Sequence, residues 1–475
     1  MGATILLYGA TGYSGRLIAA EAAFVRDSGL ADAPFPRVIL AGRDERALRA
    51  LADAQRMDFR TFALDDRPAV LRGLGDVDVV VNAAGPFAWT AERLATAALE
   101  SGAHYVDING EVDVYQKLDD LARPARLRHC AIVCGAGCTG AASDILLDRA
   151  LAALATSGRD AAAPDFPKLG AVRVAMSRVA GFSRGSVETA LRSLREQVTV
   201  VRRADVDADE RTPWQAPATT AAAATALAVA APATTPDAKA AADVLGEPAP
   251  SGTPLGWDMA ARPEAERAAV SVWLGERMKV THEPVGKLER SFDFRVRAAG
   301  EAKGAPDLRI ASAADLVDTL MARQTLARRF RLPESIESYV DMGSAGRIAY
   351  QVGALLAPIA AMPWLRALAS AQVELLPDGP TAEERAEDRH VVLLEVEDVW
   401  RTRLVDWRWE TPNPYQFTAQ IVVAVAATLA RARRGSAGAV EGFATPAAVL
   451  GPGELDIEGK SPTLRGCRLD RRIAG

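Results

Sequence analysis

The residues whose types and spacing could do chemistry begin with three glycines near the start of the chain. Gly9, Gly12 and Gly15 form the pattern GxxGxxG within "LLYGATGYSGR", after an apolar stretch and before a helix-like segment. Glycine permits a tight turn and a close backbone approach, and the amide groups at a helix N-terminus attract phosphate. The pattern therefore predicts a dinucleotide site rather than an empty turn. The predicted contacts are Gly9, Ala10, Thr11, Gly12, Tyr13, Ser14 and Gly15.

The tip of the second predicted strand indicates which dinucleotide this turn would hold. "RVILAGRDER" ends the strand with Arg43, and Asp44 follows directly. An acidic residue at this tip holds the ribose hydroxyls of NAD, whereas a guanidinium can clamp the 2′-phosphate of NADP with two hydrogen bonds. Arg43 therefore favours NADP(H) as the cofactor. The alternative is a solvated Arg43, with Asp44 on the ribose.

The third and fourth predicted strands end in residues suited to the rest of a dinucleotide. Asp65 follows the third strand and is expected at the adenine edge. The fourth strand ends in "NAAGPF", where small residues would let the cofactor pass and the turn would lie near the nicotinamide. Ordinary loop packing is the alternative for Pro86 and Phe87. The predicted contacts are Asn82, Ala83, Ala84, Gly85, Pro86 and Phe87.

The fifth predicted strand carries the candidate catalytic residues. "HYVDINGE" places Tyr105, Asp107, Asn109 and Glu111 at its carboxyl end, the edge where open α/β sheets bind ligands. Alternation keeps these side chains on one side while the strand lasts. Tyr105 and Glu111 are the catalytic candidates, and Glu111 would need a raised pKa to donate a proton. A hydrogen-bonded network without chemistry is an equally good interpretation.

Two other classes of reductase depend on catalytic motifs that this chain lacks or matches only in part. Short-chain dehydrogenases carry Tyr-x-x-x-Lys, and none of the 7 tyrosines has a lysine four positions later, which excludes that class. Reductases of the N-acetylglutamyl-phosphate type use a cysteine nucleophile, for which Cys138 at a predicted helix start is the candidate. No histidine lies between Cys138 and His282, so a base is hard to place, and we expect no covalent nucleophile. We expect no metal site either, because the 4 histidines and 4 cysteines lack paired spacing.

Alternating strands and helices must position these residues. The predicted strands of the first third are "ATILLYG", "RVILAGR", "FRTFAL", "VDVVVNAAG", "HYVDI" and "CAIVCGA". Intervening helices of crossover length imply parallel pairing with both faces covered. The predicted fold class is α/β, an N-terminal Rossmann doubly wound parallel sheet with a second α+β domain of mostly antiparallel sheet.

The sequence pattern changes after Thr156. "AVRVAMSRVAG", "SFDFRVRAAG", "HVVLLEVED" and "WRTRLVDWRWE" are typical of strands in an antiparallel sheet with one wet face. Ala204 to Thr253 is low in complexity and is expected to be a mobile insertion. The predicted division is 1–156 for the NADP-binding domain, 157–410 for the substrate domain with its insertion at 204–253, and 411–475 for a C-terminal helix and tail that pack back on the body.

Composition limits the class of protein and its partners. The chain has 475 residues, of which 49% are hydrophobic, and a net charge of −5, which gives no basic footprint for nucleic acid. Neither a secretory signal nor a transmembrane segment is recognisable. We expect a cytoplasmic protein with a small-molecule substrate, and a homodimer remains open.

Several segments taken together resemble one family. "GATGYSG", "AGRDERAL", "VVNAAGPF", "YVDINGE" and "GAGCTGAASD" follow the order and spacing of the saccharopine dehydrogenase-like oxidoreductases, which include trans-acting enoyl reductases. The likeness continues through "FSRGSVETAL", "LLPDGPTAEERAEDR" and "EGFATPAAVLG". It implies an NADP-dependent reductase. By motif it implies cofactor contacts at Gly9, Gly12, Gly15 and Arg43 and a nicotinamide-side wall of Gly85, Pro86, Phe87, Gly110 and Glu111.

The chain departs from this family in one motif. The usual GFDSxPxD reads "GCTGAASD", so Cys138 and Thr139 replace Phe and Asp while Asp144 is kept. Related enzymes carry an acid at the position of Thr139 that is implicated in proton transfer, and threonine is no acid at neutral pH. The resemblance implies hydride transfer to a C=C or C=N bond of a largely apolar acyl or polyketide-like molecule. A saccharopine-type imine reductase, with Arg178 and Arg184 on substrate carboxylates, and a non-catalytic NADP-binding protein are the alternatives.

Overall fold

The computed structural model describes most of the two ends of the chain and shorter stretches between them. The described residues are 2–29, 34–156, 168–177, 183–187, 197–203, 278–284, 288–294, 308–313, 321–322, 324–326, 333, 335–340, 377–432, 435–436, 439–454 and 464–472. The chain divides into two compact units. One unit comprises residues 1–196 and 284–475, and the other comprises residues 197–283.

Strands and helices alternate from the first residues onward, as the sequence predicts. Buried apolar and β-branched residues form the strands, and Asp44 and Asp66 cap the two helices that follow them. The elements are β1 Thr4–Tyr8, α1 Tyr13–Ser28, β2 Arg37–Gly42, α2 Glu45–Gln55, β3 Asp58–Thr61, α3 Arg67–Leu74, β4 Val79–Asn82, α4 Phe87–Glu100, β5 His104–Asp107, α5 Val112–Asp119, α6 Ala122–Leu127, β6 Ala131–Val133 and α7 Cys138–Thr156.

The rest of the chain supplies the other strands and helices that the structure describes. They are β7 Leu169–Met176, β8 Gln197–Arg203, β9 Met278–Pro284, β10 Leu288–Phe294, β11 Leu308–Ala313, β12 Ser335–Val340, α8 Ala382–Glu387, β13 Arg389–Asp398, β14 Arg403–Pro412, α9 Pro414–Arg431, β15 Gly442–Ala444, α10 Pro446–Glu454 and β16 Arg468–Arg472. Strands β8 and β9, which pair with each other in a two-stranded sheet, are the described elements of the unit 197–283.

The first sheet has seven strands in the order β15-β6-β5-β4-β1-β2-β3, and every pair in it is parallel. This confirms the predicted doubly wound parallel sheet. The chain proceeds from β1 to one side and, from β4, to the other, so the topological switch point lies between β1 and β4. Ligands of such sheets bind at the carboxyl ends of the strands beside this point. The sequence did not predict β15, which pairs with β6.

The second sheet is mostly antiparallel, as predicted. Its order is β10-β11-β12-β7-β13-β14-β16, with β12 and β7 as its parallel pair. The prediction that β14 includes Trp400 is wrong. Asp398 accepts hydrogen bonds from the amides of Trp400 and Thr402, which makes a turn there, and Trp400 is 83% exposed.

Helix α9 is buried on almost every side because it contacts both sheets. Its contacts are with α1, α7, α10, β1, β4, β5 and β14. Phe417 packs edge-on against Trp409, with the ring centroids 5.3 Å apart, and both side chains are fully buried. One hydrophobic core thus connects the two sheets. The predicted boundaries at 156 and 410 lie within this unit, and the domain division itself stays a prediction.

Two sequence predictions fall outside the described residues. One is the expected mobile insertion, residues 204–253. The other is residues 348–376, an apolar segment that, from its sequence, could line a substrate tunnel together with tryptophans such as Trp407 and Trp409. Within the parts of the chain that the structure describes, no helix has the length and apolar character needed to cross a membrane.

Candidate functional site

The turn between β1 and α1 closes tightly against neighbouring strands. Gly9 has φ of +81°, and its amide donates to the Ala41 carbonyl at 2.9 Å. A Cβ at Gly9 would lie 2.7 Å from the nitrogen of Ala84, and a Cβ at Gly15 would lie 2.8 Å from the Cα of Ala10. Both positions therefore require glycine. The tight turn at Gly9 and the close packing at Gly15 are as predicted, and their contact with phosphate stays a prediction.

Helix α1 begins with its first amide groups open. Gly12 is the N-cap in an extended conformation, and no side chain of the described residues caps the helix. The amides of Tyr13, Ser14 and Gly15 have no intrahelical acceptor, as in the first turn of any α-helix. The first turn also contains no acidic residue. Partial positive charge therefore collects where the sequence predicts a pyrophosphate.

Tyr13 connects this turn to the segment that precedes β13. Its hydroxyl donates to the Pro380 carbonyl at 2.7 Å and accepts from Nη1 of Arg385 at 2.9 Å. Its ring meets that of Tyr415 edge-on at 5.0 Å. A Cβ at Gly379 would lie 2.6 Å from the Tyr13 ring. The hydroxyl of Tyr13 is thus engaged in tertiary contacts.

The tips of β2 and β3 present two exposed side chains of opposite charge. Arg43 and Asp65 both act electrostatically on the buried Tyr8, which places them in the same neighbourhood. The described part of the chain offers Arg43 no hydrogen-bond or ion-pair partner. Asp44 instead accepts a hydrogen bond from the Ala47 amide at 3.0 Å and caps α2. Its carboxylate is therefore already used, which favours Arg43 as the residue available to a cofactor.

The segment from Asn82 to Phe87 is held by polar contacts from three directions. Oδ1 of Asn82 accepts from the Ala84 amide at 3.0 Å, and its Nδ2 donates to the Thr90 and Tyr105 hydroxyls at 3.2 and 3.1 Å. The hydroxyl of Thr90 donates to the Ala84 carbonyl at 2.6 Å. The segment is therefore fixed at the carboxyl end of β4, beside the Gly9 turn.

Glu111 completes the support of this segment. Its two carboxylate oxygens accept hydrogen bonds from the amides of Phe87 and Ala88, each at 3.2 Å, at the N-terminus of α4. The carboxyl group is buried, and its own amide donates to Oδ1 of Asn109 at 2.7 Å. Gly110 lies between them and is exposed. Negative charge at a helix N-terminus is stabilising, so Glu111 caps α4.

Asp107 is the centre of a fully buried polar network. One oxygen accepts from the amides of Asn109 and Gly135 at 3.0 and 2.8 Å, and the other accepts from the Tyr105 hydroxyl at 3.0 Å. Burial raises the pKa of Asp107 to about 6, although these donors act in the opposite direction. Burial, followed by the Asp107 charge, raises the pKa of Tyr105 well above its usual value. The network joins the ends of β4, β5 and β6.

The structure thus brings together most of the residues that the sequence singled out. The Gly9 turn, the Asn82–Phe87 segment and the β5 residues meet at the carboxyl edge of the sheet, with Arg43 and Asp65 at the neighbouring tips. Tyr105 and Glu111 lie beneath this edge and make hydrogen bonds within the protein. Their catalytic role stays a prediction, as do all the predicted cofactor contacts.

Cys138, the first residue of α7, has a partner that sequence reasoning missed. Its Sγ lies 3.5 Å from Nδ1 of His390, the second residue of β13. From the sequence, a histidine base was hard to place for this thiol because none lies between Cys138 and His282. The structure supplies His390, since a gap in sequence says nothing about proximity across two sheets. The one sequence signal for this pairing was that the chain contains His390.

The two other positions of the divergent motif have different surroundings. Thr139 is exposed and non-helical, with φ of −67° and ψ of 115°. Asp144 is buried and accepts hydrogen bonds from the Thr325 hydroxyl and, at 2.7 Å, from the Ala447 amide at the start of α10. The residue kept from the family motif thus joins α7 to α10.

Comparison with known proteins identifies the N-terminal part of this site. Residues 5–127 match the family model of the saccharopine dehydrogenase NADP binding domain. This match covers the glycine turn, Arg43, the Asn82–Phe87 segment and Glu111. Residues 5–127 are thus similar to an NADP-binding domain of this type, and the cofactor is NADP(H), as predicted.

Two curated relatives each match about a quarter of the chain. The trans-acting enoyl reductase of Mycobacterium leprae (strain TN) is 32% identical over 122 residues, 25% of this chain and 28% of that protein. The protein of the same name from Mycobacterium ulcerans (strain Agy99) is 32% identical over 125 residues, 24% of this chain and 28% of that protein. The matched part of the chain thus spans a little over a quarter of the length of these relatives.

A solved structure resembles this one over its whole length. Saccharopine dehydrogenase (L-Glu forming) from Saccharomyces cerevisiae, in its apo form, aligns over 100% of both chains with 11% identity and a TM-score of 0.49.

Proposed function

We propose that this protein is an NADP-dependent oxidoreductase that passes a hydride from NADPH to a C=C or C=N bond of a largely apolar small molecule. The observation that carries the proposal is the open N-terminus of α1 behind the glycine turn, with Arg43 exposed at the adjacent strand tip. The helix would hold the pyrophosphate and the guanidinium the 2′-phosphate. The bound cofactor would supply the hydride.

The segment Gly85–Phe87, with Asn82 and Glu111 behind it, is our proposed wall on the nicotinamide side. Both supporting side chains hold backbone groups of the segment or of α4. A support of this kind fixes the geometry of hydride transfer, to which rates are sensitive. We propose that Glu111 and Tyr105 act on the reaction by positioning this segment, since both are buried and hydrogen-bonded. Asp65 and Gly110 remain proposed cofactor contacts.

An unsaturated acyl compound is our preferred substrate. Two relatives that each match about a quarter of the chain carry the name trans-acting enoyl reductase, which supports this preference. An amino-acid imine would need arginines for its carboxylates, and Arg184, one of the two candidates, is already paired with Asp378. Arg178 and the apolar segment 348–376 lie outside the described residues. Trp407 and Trp409, whose aromatic area could have lined an apolar tunnel, are buried in the core.

NADPH oxidation by the purified protein tests the proposal. One arm offers α,β-unsaturated acyl thioesters, and the other offers imines formed from lysine and a 2-oxo acid. We expect turnover in the thioester arm, and turnover of the imines alone would replace the acyl substrate while keeping the reductase. NADPH binding without oxidation in either arm would favour the non-catalytic alternative.

The setting of the protein is also part of the proposal. We propose a cytoplasmic protein whose partner is its small-molecule substrate, with no role in binding nucleic acid. Monomer and homodimer both fit this proposal, and light scattering on the purified chain distinguishes them.

A further inference from the structure

A thiol and an imidazole meet at the carboxyl end of β6, outside the network that supports the cofactor turn. Sγ of Cys138 and Nδ1 of His390 are 3.5 Å apart, within the range of a sulfur hydrogen bond. Cys138 is 6% exposed and His390 is 2% exposed. The two residues are 252 positions apart in the chain. Only the packing of α7 against β13 brings them together.

The surrounding backbone fixes both side chains. The Cys138 amide donates to the Thr418 hydroxyl on α9 at 2.8 Å, and the next two residues, Thr139 and Gly140, leave the helical conformation. His390 lies in β13 and pairs with Thr411 of β14. The thiol is thus held at a break at the start of a helix, and the imidazole is held on a central strand. Groups positioned on rigid elements suit chemistry that needs a constant separation.

The protonation state of the imidazole suits it to accept a proton. Burial lowers the pKa of His390 to about 4, so the ring is neutral near pH 7. The Nδ1 atom nearest the thiol can then carry the lone pair, with the proton on Nε2, an assignment inferred from this contact. A neutral base beside a thiol activates it as a nucleophile while attack proceeds.

Against the expectation from the sequence that Cys138 is no covalent nucleophile, we propose that Cys138 and His390 form a covalent acyl-accepting site. It takes its acyl group from an acyl thioester. Sγ attacks the thioester carbonyl carbon and forms the new C–S bond while Nδ1 of His390 accepts the thiol proton. The intermediate then breaks the original C–S bond, and the leaving thiol takes the proton from His390. One thioester replaces another, so no oxidant or reductant is consumed.

The acyl class rests on the proposed function, but the covalent step does not require NADPH. A saturated thioester has no C=C bond to reduce, so it isolates this step from hydride transfer. Hexanoyl-coenzyme A, incubated with the full-length protein in the absence of NADPH, is the probe. We expect the mass of one hexanoyl group to appear on the peptide that contains Cys138.

Two variants and an internal comparison make the experiment decisive. Cys138→Ala should lose the adduct, and His390→Gln should slow its formation by about a hundredfold, the lower end of general-base contributions. Cys467 is 7% exposed, close to the value for Cys138, so Cys467→Ala is the matched control and should acylate normally. Circular dichroism verifies that each variant is folded.

Three results would overturn the proposal. They are no mass gain in the wild type, acylation of Cys467 as fast as that of Cys138, and an undiminished rate in folded His390→Gln. The wild-type comparison of the two cysteines holds even if the histidine variant does not fold. NADPH oxidation with unsaturated thioesters is measured separately. Failure of the proposed reductase activity can therefore be distinguished from failure of the acyl-accepting site.

Discussion

Arg43 is the residue on which cofactor choice is expected to depend. Its guanidinium is exposed at the tip of β2, while Asp44 is engaged as the cap of α2. Arg43→Ala should weaken NADPH binding by roughly ten- to a hundredfold, since a charge-assisted hydrogen-bond contact is worth about 1.5 to 3 kcal/mol. NADH binding should change little. Calorimetric titration with both cofactors measures this.

Arg72→Ala provides the matched control for this substitution. Arg72 is an exposed arginine in the last turn of α3, which runs back toward the opposite edge of the sheet. Its removal changes the net charge equally and should leave both affinities as they are. Equal NADPH affinity in Arg43→Ala and wild type would assign the 2′-phosphate to another residue.

Asp107 gives the protein a pH dependence of stability with a definite sign. Its pKa is about 6 in the folded protein, above the usual pKa of 3.8 expected in the unfolded chain, so the folded carboxyl holds its proton more tightly. The stability it contributes is full below the lower value and is lost as the pH rises through the higher one. Relative to Asp107→Asn, the wild-type free energy of unfolding should fall by about 2 kcal/mol between about pH 4.5 and 7.5.

Urea unfolding of both proteins at several pH values measures this difference. The comparison removes the contribution of all other titrating groups, because both proteins share them. A difference that stays constant with pH would mean that Asp107 titrates alike in the folded and unfolded chain.

The sequence showed which residues lie at the candidate site better than it showed which contacts their side chains make. The tight glycine turn and the position of Arg43 at a strand tip could be predicted, because both depend on the local sequence. The contacts of these residues with a cofactor stay predictions. Glu111 was a catalytic candidate, whereas its carboxylate caps α4 through the amides of Phe87 and Ala88. The donors of these hydrogen bonds belong to another element, and pairing of this kind leaves no periodic trace. The pairing of Cys138 with His390 was missed for the same reason.

At the scale of elements, the first turn of α1 packs so closely against the glycine turn before it that Gly15 has no room for a side chain. A Cβ at Gly15 would overlap the carbonyl oxygen of Gly9 and would lie 2.8 Å from the Cα of Ala10. Gly15→Ala should therefore destabilise the fold by about 1 to 3 kcal/mol, although alanine normally favours a helix. The displaced turn should also bind NADPH at least about tenfold more weakly.

Gly75→Ala is the control for the substitution at Gly15. Gly75 has a right-handed helical conformation, and a Cβ there would meet its nearest atom at 3.8 Å, an ordinary contact. Thermal unfolding and NADPH titration on both variants give the comparison. A Gly15→Ala variant as stable as Gly75→Ala would show that the turn yields to the extra carbon.

Elements with a long periodic pattern could be predicted, and short ones could not. The strands of the first sheet carry apolar runs, and α9 carries a long apolar helix, so both were recognised. Strand β15 consists of Gly442–Ala444, too short for any alternation to appear. Helix α3 was not singled out from the sequence. It has 8 residues, too few for a clear period, and Pro68 lies in its first turn, where proline suits a helix.

At the scale of the whole molecule, Tyr13 connects the cofactor turn to the second sheet. Its hydroxyl contacts Pro380 and Arg385, on either side of the start of α8. Tyr13→Phe should cost about 1 kcal/mol of stability, the net value of a typical hydrogen bond. In the wild type, NADPH should also slow amide exchange in residues 380–389, and this protection should disappear in the variant.

Tyr115→Phe is the corresponding control. Its hydroxyl donates to Oε1 of Gln324 at 2.6 Å, so its loss has a comparable local cost. Hydrogen exchange followed by mass spectrometry should show the NADPH effect on residues 380–389 intact in this variant. Protection that survives in Tyr13→Phe would mean that the turn and the second sheet communicate by another route.

Strand β15 also sets the timing of folding during synthesis. Its Gly442 amide donates to the Cys130 carbonyl at 2.8 Å, and its residues pair with Ala131 to Val133 of β6. A ribosome translating about 5 to 20 residues per second needs roughly 15 to 60 seconds to cover the ~300 residues between these strands. Throughout that interval the nascent sheet has an unpaired edge at β6, open to strands of other chains. We therefore expect non-native strand pairing at β6 until Gly442–Ala444 have been synthesised.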